Sequence, residues 1–170
     1  MPSNYTIMDN FLSKEDFDKV QSALGINTDN FKFPWYYLGK VDDGTLPEID
    51  DHLMFTHMIF AGVQIFSEHY HDILPIVDKI NLKALIRIKV NAYPKNGNKI
   101  IHHRQHVDYP YEHKGAIFYL NTNNGLTVLE DGTEIASVAN RMLFFDAHKP
   151  HNSTNATDVK MRYNINFNYF

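Results

Sequence analysis

The stretch His106-Val107-Asp108-Tyr109-Pro110 places a histidine and an aspartate two positions apart. Side chains at that spacing on a β-strand point to the same face, so His106 and Asp108 can bind one metal ion together. A further histidine, such as His151, would have to come from another strand. Two imidazoles and one carboxylate suit a divalent iron and leave half of its coordination sphere open. The pattern therefore predicts a mononuclear iron site.

The histidine content leaves alternatives for the third ligand. The chain has ten histidines, and His148 lies in the same short segment as His151. If residues 100–108 form a strand, His102 and Arg104 share the face of His106, and they either line the mouth of the site or lie on a solvated edge. The histidines that precede the strand-rich half are expected to be surface or packing residues: His52, His57, His69 and His71.

Arg162 lies downstream of these histidines, in the alternating segment 161–170. One interpretation is an edge strand whose polar face lies in water. The other is a barrel strand whose apolar face packs on outer helices, which turns Arg162 into the lumen. A buried arginine needs an anionic partner, and its planar guanidinium binds a carboxylate through two parallel hydrogen bonds. The second interpretation therefore predicts a dicarboxylate co-substrate.

Composition limits the class of protein. The 170 residues are 44% hydrophobic and 21% charged, which fits one domain with a real core. A net charge of -4 argues against a general nucleic-acid binder. The absence of cysteine excludes disulfides, a thiolate nucleophile and a cysteine-based zinc site. No signal-peptide pattern and no apolar run of about 20 residues is present, so we expect a cytoplasmic protein without a membrane span.

The first half of the chain predicts two helices among short strands. Ser13 is a suitable N-cap for the first helix, and Gly25 is a natural stop. Residues 64–80 predict a second helix that Pro75 bends or interrupts. The remaining elements expected here are strands at 35–38 and 54–60 and an acidic loop at 41–51.

From Leu82 onward the pattern changes to short alternating segments separated by turn residues. The strand predicted at 84–93 has an apolar face and a polar face. Asp131-Gly132 is a two-residue hairpin signal. Many short strands preceded by helices predict a mainly β fold, a sandwich or barrel with helices outside it. The other strands expected are 100–108, 116–121, 126–130, 133–138, 142–145 and 161–170.

Over about residues 85–170 the chain resembles the Fe(II)/2-oxoglutarate-dependent dioxygenases, specifically their prolyl-hydroxylase-like branch. The matching segments, in order, are Tyr93-Pro94-Lys95-Asn96-Gly97, His106-Val107-Asp108-Tyr109-Pro110, Ile117-Phe118-Tyr119-Leu120-Asn121, Arg141-Met142-Leu143-Phe144-Phe145, Pro150-His151 and Arg162-Tyr163-Asn164-Ile165. The resemblance implies a double-stranded β-helix, a jelly-roll barrel with iron at one open end. We expect a single domain over residues 1–170, with 1–84 as helical and strand support and 85–170 as the barrel core.

The resemblance also implies roles for individual residues. His106, Asp108 and His151 take the iron positions, which favours His151 over His148. Arg162 and Tyr119 match the pair that binds the distal carboxylate of 2-oxoglutarate, and Tyr93 matches a tyrosine that lines the pocket. The implied cofactors are Fe(II), with 2-oxoglutarate and O2 as co-substrates. The implied reaction converts 2-oxoglutarate to succinate and CO2 while it hydroxylates a C–H bond.

Departures from the family pattern fall where the substrate would bind. A Gly-Gly pair usual in prolyl hydroxylases is reduced to Gly125, and an aromatic position on the last strand is Asn168. A polar mouth of buried amides rejects substrates that lack matching polar groups. We therefore expect a polar substrate, a prolyl residue or other amino-acid unit, although Arg87, Lys89 and Arg104 on the pocket side keep nucleic acid open. The candidate substrate residues are Asn91, Arg104, Asn164, Asn166 and Asn168.

Two other functions compete with a hydroxylase. One is a non-catalytic or sensory metal-binding barrel, and the other is a cupin-like enzyme that uses three histidines and no co-substrate. The cupin hypothesis predicts that His148 or His102 binds metal and that Arg162 is exposed. A metal-binding barrel alone has no need of Arg162 and Tyr119, so the joint presence of these residues with Asp108 favours the dioxygenase.

Overall fold

The computed structural model describes residues 5–26, 28, 32–38 and 53–170. Within these ranges the chain forms strands, two α-helices and one 3-10 turn, Glu68–Tyr70. In chain order the elements are β1 (Tyr5–Met8), α1 (Lys14–Ala23), β2 (Tyr36–Leu38), β3 (Met54–Ala61), β4 (Gln64–Ile65), α2 (Leu74–Ile80), β5 (Leu85–Pro94), β6 (Lys114–Tyr119), β7 (Asn123–Leu129), β8 (Glu134–Ser137), β9 (Arg141–Phe145), β10 (His151–Ser153) and β11 (Met161–Tyr169).

These strands form two antiparallel sheets. The larger has the order β1-β9-β6-β11-β5-β3-β2, with β4 paired to β3, and the smaller has the order β10-β7-β8. Apolar side chains from both sheets meet between them, among them Ile117 and Leu143 of the larger sheet and Leu129 and Ile135 of the smaller. The two sheets make the double-stranded β-helix that the sequence predicted.

A second core lies on the outer face of the larger sheet. Ile88 and Val90 of β5 are fully buried there, against residues from the two helices such as Val20 and Ile76. Because successive side chains of a strand alternate between its two faces, the other side chains of β5 point into the interior between the sheets. The outer helices thus decide which side chains of β5 and β11 line the barrel.

Helix α1 begins and ends where the sequence predicted. The Ser13 Oγ accepts a hydrogen bond from the Asp16 backbone N at 3.1 Å, which satisfies one of the free N–H groups of the first turn. Gly25 has φ +70°, a left-handed conformation that glycine adopts without steric cost and that ends the helix.

The predicted helix over residues 64–80 was wrong in its first part. Gln64–Ile65 instead pairs with β3 in a hairpin through Gly62, whose φ is +64°. The Ser67 hydroxyl then caps the 3-10 turn that follows. Pro75 lies in the first turn of α2 rather than inside a helix, and there its missing N–H leaves no hydrogen bond unmade.

The predicted strand over residues 100–108 was also wrong as a continuous strand. It makes only isolated bridges, His102 with Thr154 and His106 with His151. One reason is that the Asn155 side chain, through Oδ1, takes the Ile101 backbone N–H that a ladder would use. The strand that was expected to carry His151 is the short β10, for which no bounds were predicted.

The other predicted strands correspond to β2, β3, β5 to β9 and β11, with ends shifted by a few residues. Gly132, with φ +82°, makes the turn of the predicted hairpin between β7 and β8. The loop expected at 41–51 lies outside the described residues. In the part of the chain that the structure describes, no helix is long and apolar enough to cross a membrane.

Candidate metal and co-substrate site

His106, Asp108 and His151 come together at one end of the barrel. One ligand atom from each lies within 4.8 Å of the other two. The Nε2 atoms of His106 and His151 lie 4.0 Å and 3.8 Å from the Asp108 carboxylate oxygens. The paired backbones of His106 and His151 hold the two rings side by side, with centroids 4.7 Å apart. This arrangement suits a divalent metal that keeps open positions.

Both histidines have a second partner that fixes the tautomer. The His106 Nδ1 lies 3.3 Å from the Arg104 backbone oxygen, and the His151 Nδ1 lies 2.9 Å from that of Lys149. A carbonyl accepts only, so each Nδ1 carries the proton and donates it. Each Nε2 is then left with a free lone pair toward the shared space, as metal binding requires.

Asp108 is held by three side chains of the barrel wall. Its Oδ1 accepts from the Arg87 Nη2 at 2.7 Å, and its Oδ2 accepts from the Asn168 Nδ2 at 2.8 Å and the Asn166 Nδ2 at 3.3 Å. Burial of Asp108 by itself would raise its pKa, but Arg87, His151 and the Asn168 hydrogen bond together hold that pKa well below its usual range. The carboxylate is therefore anionic and oriented.

His151 is buried and His106 is half-buried, so their environments differ. Burial lowers the pKa of His151, and the nearby His106 lowers it further, while Asp108 and the Lys149 carbonyl act in the opposite direction. The net lowering favours the neutral imidazole that binds metal.

Arg162 is completely buried, which the cupin hypothesis did not predict. Among the described residues no carboxylate lies within 4 Å of its guanidinium, which makes only hydrogen bonds to neutral oxygens. Those acceptors are the Ser137 Oγ at 3.0 Å, the Thr154 backbone oxygen at 3.3 Å, the Leu126 backbone oxygen at 3.3 Å and the Thr127 Oγ1 at 3.5 Å. A buried charge without a counter-ion is costly, so the site fits an anionic ligand.

Gly125 explains how Arg162 fits beneath β7. A Cβ at Gly125 would lie 2.5 Å from the Arg162 Cδ and 2.8 Å from its Nε, so the backbone of β7 passes directly over the side chain. Any larger residue would force the guanidinium to move. The absence of a side chain at Gly125 therefore makes room for the arginine.

Tyr119 and Tyr93 flank Arg162. The guanidinium carbon lies 5.2 Å from the Tyr93 ring centroid and 6.0 Å from that of Tyr119. The Tyr119 hydroxyl donates to the Thr127 Oγ1 at 2.8 Å, and the Tyr93 ring stacks on His103 at 5.6 Å. Burial raises the pKa of both tyrosines, so they stay neutral hydrogen-bond donors at neutral pH.

A pocket connects the region near Arg162 with the histidines. The empty space within it, which includes a part open to solvent, is about 340 Å³. Its lining residues are Asn91, Tyr93, His106, Ile117, Thr127, His151, Asn152, Ser153, Asn164 and Asn166. The pocket is thus lined by both histidines of the cluster and by Tyr93 and Thr127, two residues that contact Arg162.

The five candidate substrate residues are placed differently from one another. Asn91 and Asn164 lie in the pocket and hydrogen-bond each other at 3.0 Å. Asn166 lies in the pocket and also contacts Asp108. Asn168 is fully buried against Asp108 and Arg87, and Arg104 is exposed.

Neither of the two rival metal ligands, His148 and His102, joins the cluster. Among the described residues, the sole group of three with metal-binding geometry is His106, Asp108 and His151. His148 has a buried Nδ1 without a hydrogen-bond partner, and His102 is exposed.

Sequence reasoning missed the contact between Arg87 and Asp108, and also the contribution of Thr127 and Ser137. Strand alternation did place Arg87 on the face that carries Asn91 and Tyr93, which was the available signal. Nothing in the local pattern of β7 or β8 marks Thr127 and Ser137 as neighbours of Arg162.

Solved structures of similar fold cover nearly the whole chain. A 2OG-Fe(II) oxygenase-family oxidoreductase from Burkholderia pseudomallei has a TM-score of 0.72 and 14% identity, over 98% of this chain and 84% of that one. A prolyl hydroxylase from Trichoplax adhaerens, in complex with a hypoxia inducible factor peptide, has a TM-score of 0.69 and 17% identity, over 99% and 84%.

The α-ketoglutarate-dependent epimerase SnoN from nogalamycin biosynthesis has a TM-score of 0.63 and 12% identity, over 98% of this chain and 76% of that one. The sequence matches no protein-family model and no curated protein. At these identities the likeness concerns the fold. The chain has the double-stranded β-helix fold of the 2-oxoglutarate- and iron-dependent oxygenases, including prolyl hydroxylases.

Proposed function

We propose that the protein is an Fe(II)- and 2-oxoglutarate-dependent dioxygenase that hydroxylates a C–H bond of a polar substrate, a prolyl residue or another amino-acid unit. The observation that carries the proposal is Arg162, a fully buried cation without a carboxylate partner among the described residues. It lies in the same barrel as a cluster of two histidines and an aspartate. A metal-binding barrel without a co-substrate gives no reason to bury that charge.

His106, Asp108 and His151 would hold the iron, which, when bound, supplies a centre for O2 reduction coupled to oxidation of 2-oxoglutarate. Arg162 would bind the distal carboxylate of 2-oxoglutarate with its planar fork, which neutralises both charges away from water. Tyr119 would add a hydrogen bond to the same group. Tyr93 would form one wall of the pocket and orient the co-substrate between the arginine and the metal.

The carboxylate network supports a positioning role for Arg87 and Asn168. Both contact Asp108, and Asn168 also accepts from the Arg87 Nε at 3.0 Å. Such partners hold a metal ligand in place and tune its charge. We therefore assign Asn168 to the support of Asp108 rather than to substrate contact.

A polar substrate is favoured by the amides that line the pocket, Asn91, Asn152, Asn164 and Asn166. A pocket of this kind discriminates through hydrogen bonds rather than through size. The prolyl hydroxylase of similar fold from Trichoplax adhaerens was solved with a peptide, which also favours an amino-acid unit.

The experiment is to supply Fe(II), 2-oxoglutarate and O2 and to measure succinate release, alone and with panels of peptides and free amino acids. Asp108→Ala and His151→Ala are the matched inactive variants. Release of succinate by the parent and not by these variants establishes the reaction class, even if no substrate is turned over. No succinate release, together with intact binding of metal and 2-oxoglutarate, would favour a sensor.

The mass of the product separates hydroxylation from epimerisation, the activity named for SnoN. A hydroxylated product gains one oxygen atom, whereas an epimer keeps the mass of the substrate. Addition of an oxygen derived from O2 is the expected result.

A further inference from the structure

Lys89 lies inside the barrel, in a row of paired polar residues that β5 and β11 form. The row begins at Tyr93, opposite Arg162, and continues with Asn91 opposite Asn164. The next pair is Lys89 with Asn166, and the last is Arg87 with Asn168. Cross-strand partners share a face of the sheet, with Cβ atoms about 5 Å apart. Lys89 is therefore a neighbour of Asn166, which lines the pocket and contacts Asp108.

The ammonium group of Lys89 is unpaired within the described part of the chain. Among the described residues it makes no hydrogen bond and has no carboxylate within 4 Å. Burial lowers the pKa of Lys89 to about 8, and repulsion by Arg87 adds to that effect, while Asp108 opposes it. The nearby carboxylate cannot serve as its counter-ion, because Asp108 already pairs with Arg87 at 2.7 Å. At neutral pH a largely desolvated positive charge therefore remains uncompensated beside the metal ligands.

Asn166 has the complementary feature, an acceptor oxygen without a donor in the ranges described. Its Nδ2 donates to Asp108 at 3.3 Å, but its Oδ1 is buried and has no hydrogen-bond partner among the residues that the structure describes. An unsatisfied buried carbonyl is rare, and it calls for an N–H or O–H donor. Lys89 and Asn166 thus offer, on adjacent strands, one free cation and one free acceptor.

We propose that Lys89 and Asn166 form the recognition site for an α-amino or α-imino acid with a free carboxylate, in which Lys89 binds the carboxylate and the Asn166 Oδ1 accepts from the nitrogen. This inference rests on the proposed function and narrows its substrate to a free amino acid or a chain-terminal residue. A single unpaired cation matches a monoanion, whereas the dianion of a phosphate group would remain under-neutralised. An internal peptide residue without a side-chain carboxylate would leave the Lys89 charge unpaired.

The distal carboxylate of 2-oxoglutarate is not the intended partner of Lys89. Arg162 serves that group two pairs away along the row, and the pair of Asn91 with Asn164 lies between the two cations. This separation gives the inference its own test, because loss of Lys89 should spare co-substrate binding.

The experiment uses the full chain with Mn(II) in place of iron, without O2, so that binding is measured without turnover. Calorimetry first measures the affinity for 2-oxoglutarate alone. With 2-oxoglutarate saturating, it then compares each standard L-amino acid, proline included, with its primary carboxamide. The proteins are the parent, Lys89→Met, Lys89→Arg and the control Lys83→Met, which changes an exposed lysine just before β5.

The parent should bind at least one acid about tenfold or more tightly than its amide, as expected for a charge-assisted hydrogen bond. Lys89→Met should reduce this preference below roughly threefold, Lys89→Arg should retain part of it, and Lys83→Met should retain all of it. All four proteins should bind 2-oxoglutarate equally, which also shows that Lys89→Met is folded.

Three results would overturn the inference: no acid preferred over its amide by the parent, a preference that persists in Lys89→Met, or weaker 2-oxoglutarate binding in Lys89→Met. The third would assign the lysine to the co-substrate. Failure of the proposed function is a separate outcome, since it would appear as a parent protein that does not bind 2-oxoglutarate.

Discussion

The Arg87 Nη2 donates to the Asp108 Oδ1 at 2.7 Å, so the carboxylate of the candidate metal cluster has an arginine as its counter-ion inside the barrel. Side-chain exposure is 16% for Arg87 and 5% for Asp108, which makes this pair largely desolvated. The negative charge of the Asp108 carboxylate is compensated before any metal binds. A metal bound at this cluster and the arginine would therefore share one carboxylate, and we expect the stability of the metal-free protein to depend on the arginine.

Arg87→Gln tests that dependence. Removing one partner of a buried ion pair leaves the other charge uncompensated, so the metal-free protein should lose about 3 kcal/mol of unfolding free energy. Mn(II) restores a counter-ion, so it should raise the Tm of the variant more than that of the parent. Thermal unfolding with and without Mn(II) measures both effects.

Lys114→Gln is the control for this prediction. It breaks the ion pair with Asp146, in which the side chains are 63% and 23% exposed, and should cost less than about 1 kcal/mol. Equal losses of stability in the two variants would mean that the Arg87 pair behaves as a surface pair.

The metal-free protein should lose stability on mild acidification. Burial lowers the pKa of both His57 and His151 in the folded state, so the unfolded chain binds more protons below about pH 6.5. The unfolding free energy should therefore fall as the pH drops from about 6.5 through the folded-state pKa values. His57→Gln should flatten this slope, and His102→Gln, at an exposed position, should not. A Tm independent of pH between 7 and 5 would contradict the assignment.

Arg162→Lys keeps the charge but loses the fork and the hydrogen bond from Nε to Ser137. The dissociation constant for 2-oxoglutarate should rise about tenfold or more, while Mn(II) affinity stays nearly unchanged. Tyr119→Phe should act in the same direction with a smaller effect. Arg141→Lys, in the partly exposed ion pair with Asp9, is the matched control. Unaltered 2-oxoglutarate binding in Arg162→Lys would make the arginine structural.

Gly125→Ala should impair the same co-substrate site without touching the ligand. The new methyl group would lie 2.5 Å from the Arg162 Cδ, so the guanidinium must move and 2-oxoglutarate should bind about tenfold or more weakly. Gly97→Ala is the contrast, because its φ of +72° costs about 1 kcal/mol but no atom lies within 4 Å. It should lower the Tm and leave 2-oxoglutarate affinity unchanged. Normal 2-oxoglutarate affinity in Gly125→Ala would contradict this prediction, because it would show that β7 can shift to accommodate the methyl group.

Alternation explains which parts of this site could be predicted from the sequence. Polar residues every second position on β5 and β11 placed Tyr93 and Arg162 inside the barrel, and that period survives in the structure. The pairing of Arg87 with Asp108 joins β5 to an irregular segment, and no local pattern specifies such a tertiary contact. The helix expected over residues 64–80 failed for a related reason, since the left-handed turn at Gly62 lets Gln64–Ile65 pair with β3 instead.

Asn168→Ala separates metal support from substrate contact. The Asn168 Nδ2 donates to the Asp108 Oδ2 at 2.8 Å, its Oδ1 accepts from Arg87, and its side chain is completely buried. Loss of such a second partner typically weakens metal binding about 10- to 100-fold, so Mn(II) affinity should fall within that range. The ranking of substrates should stay the same, because the side chain does not reach the pocket. Asn124→Ala, at an exposed position bonded to Thr157 and Asp158, should change neither property. An altered substrate ranking with normal Mn(II) affinity would return Asn168 to the substrate-binding role that the sequence suggested.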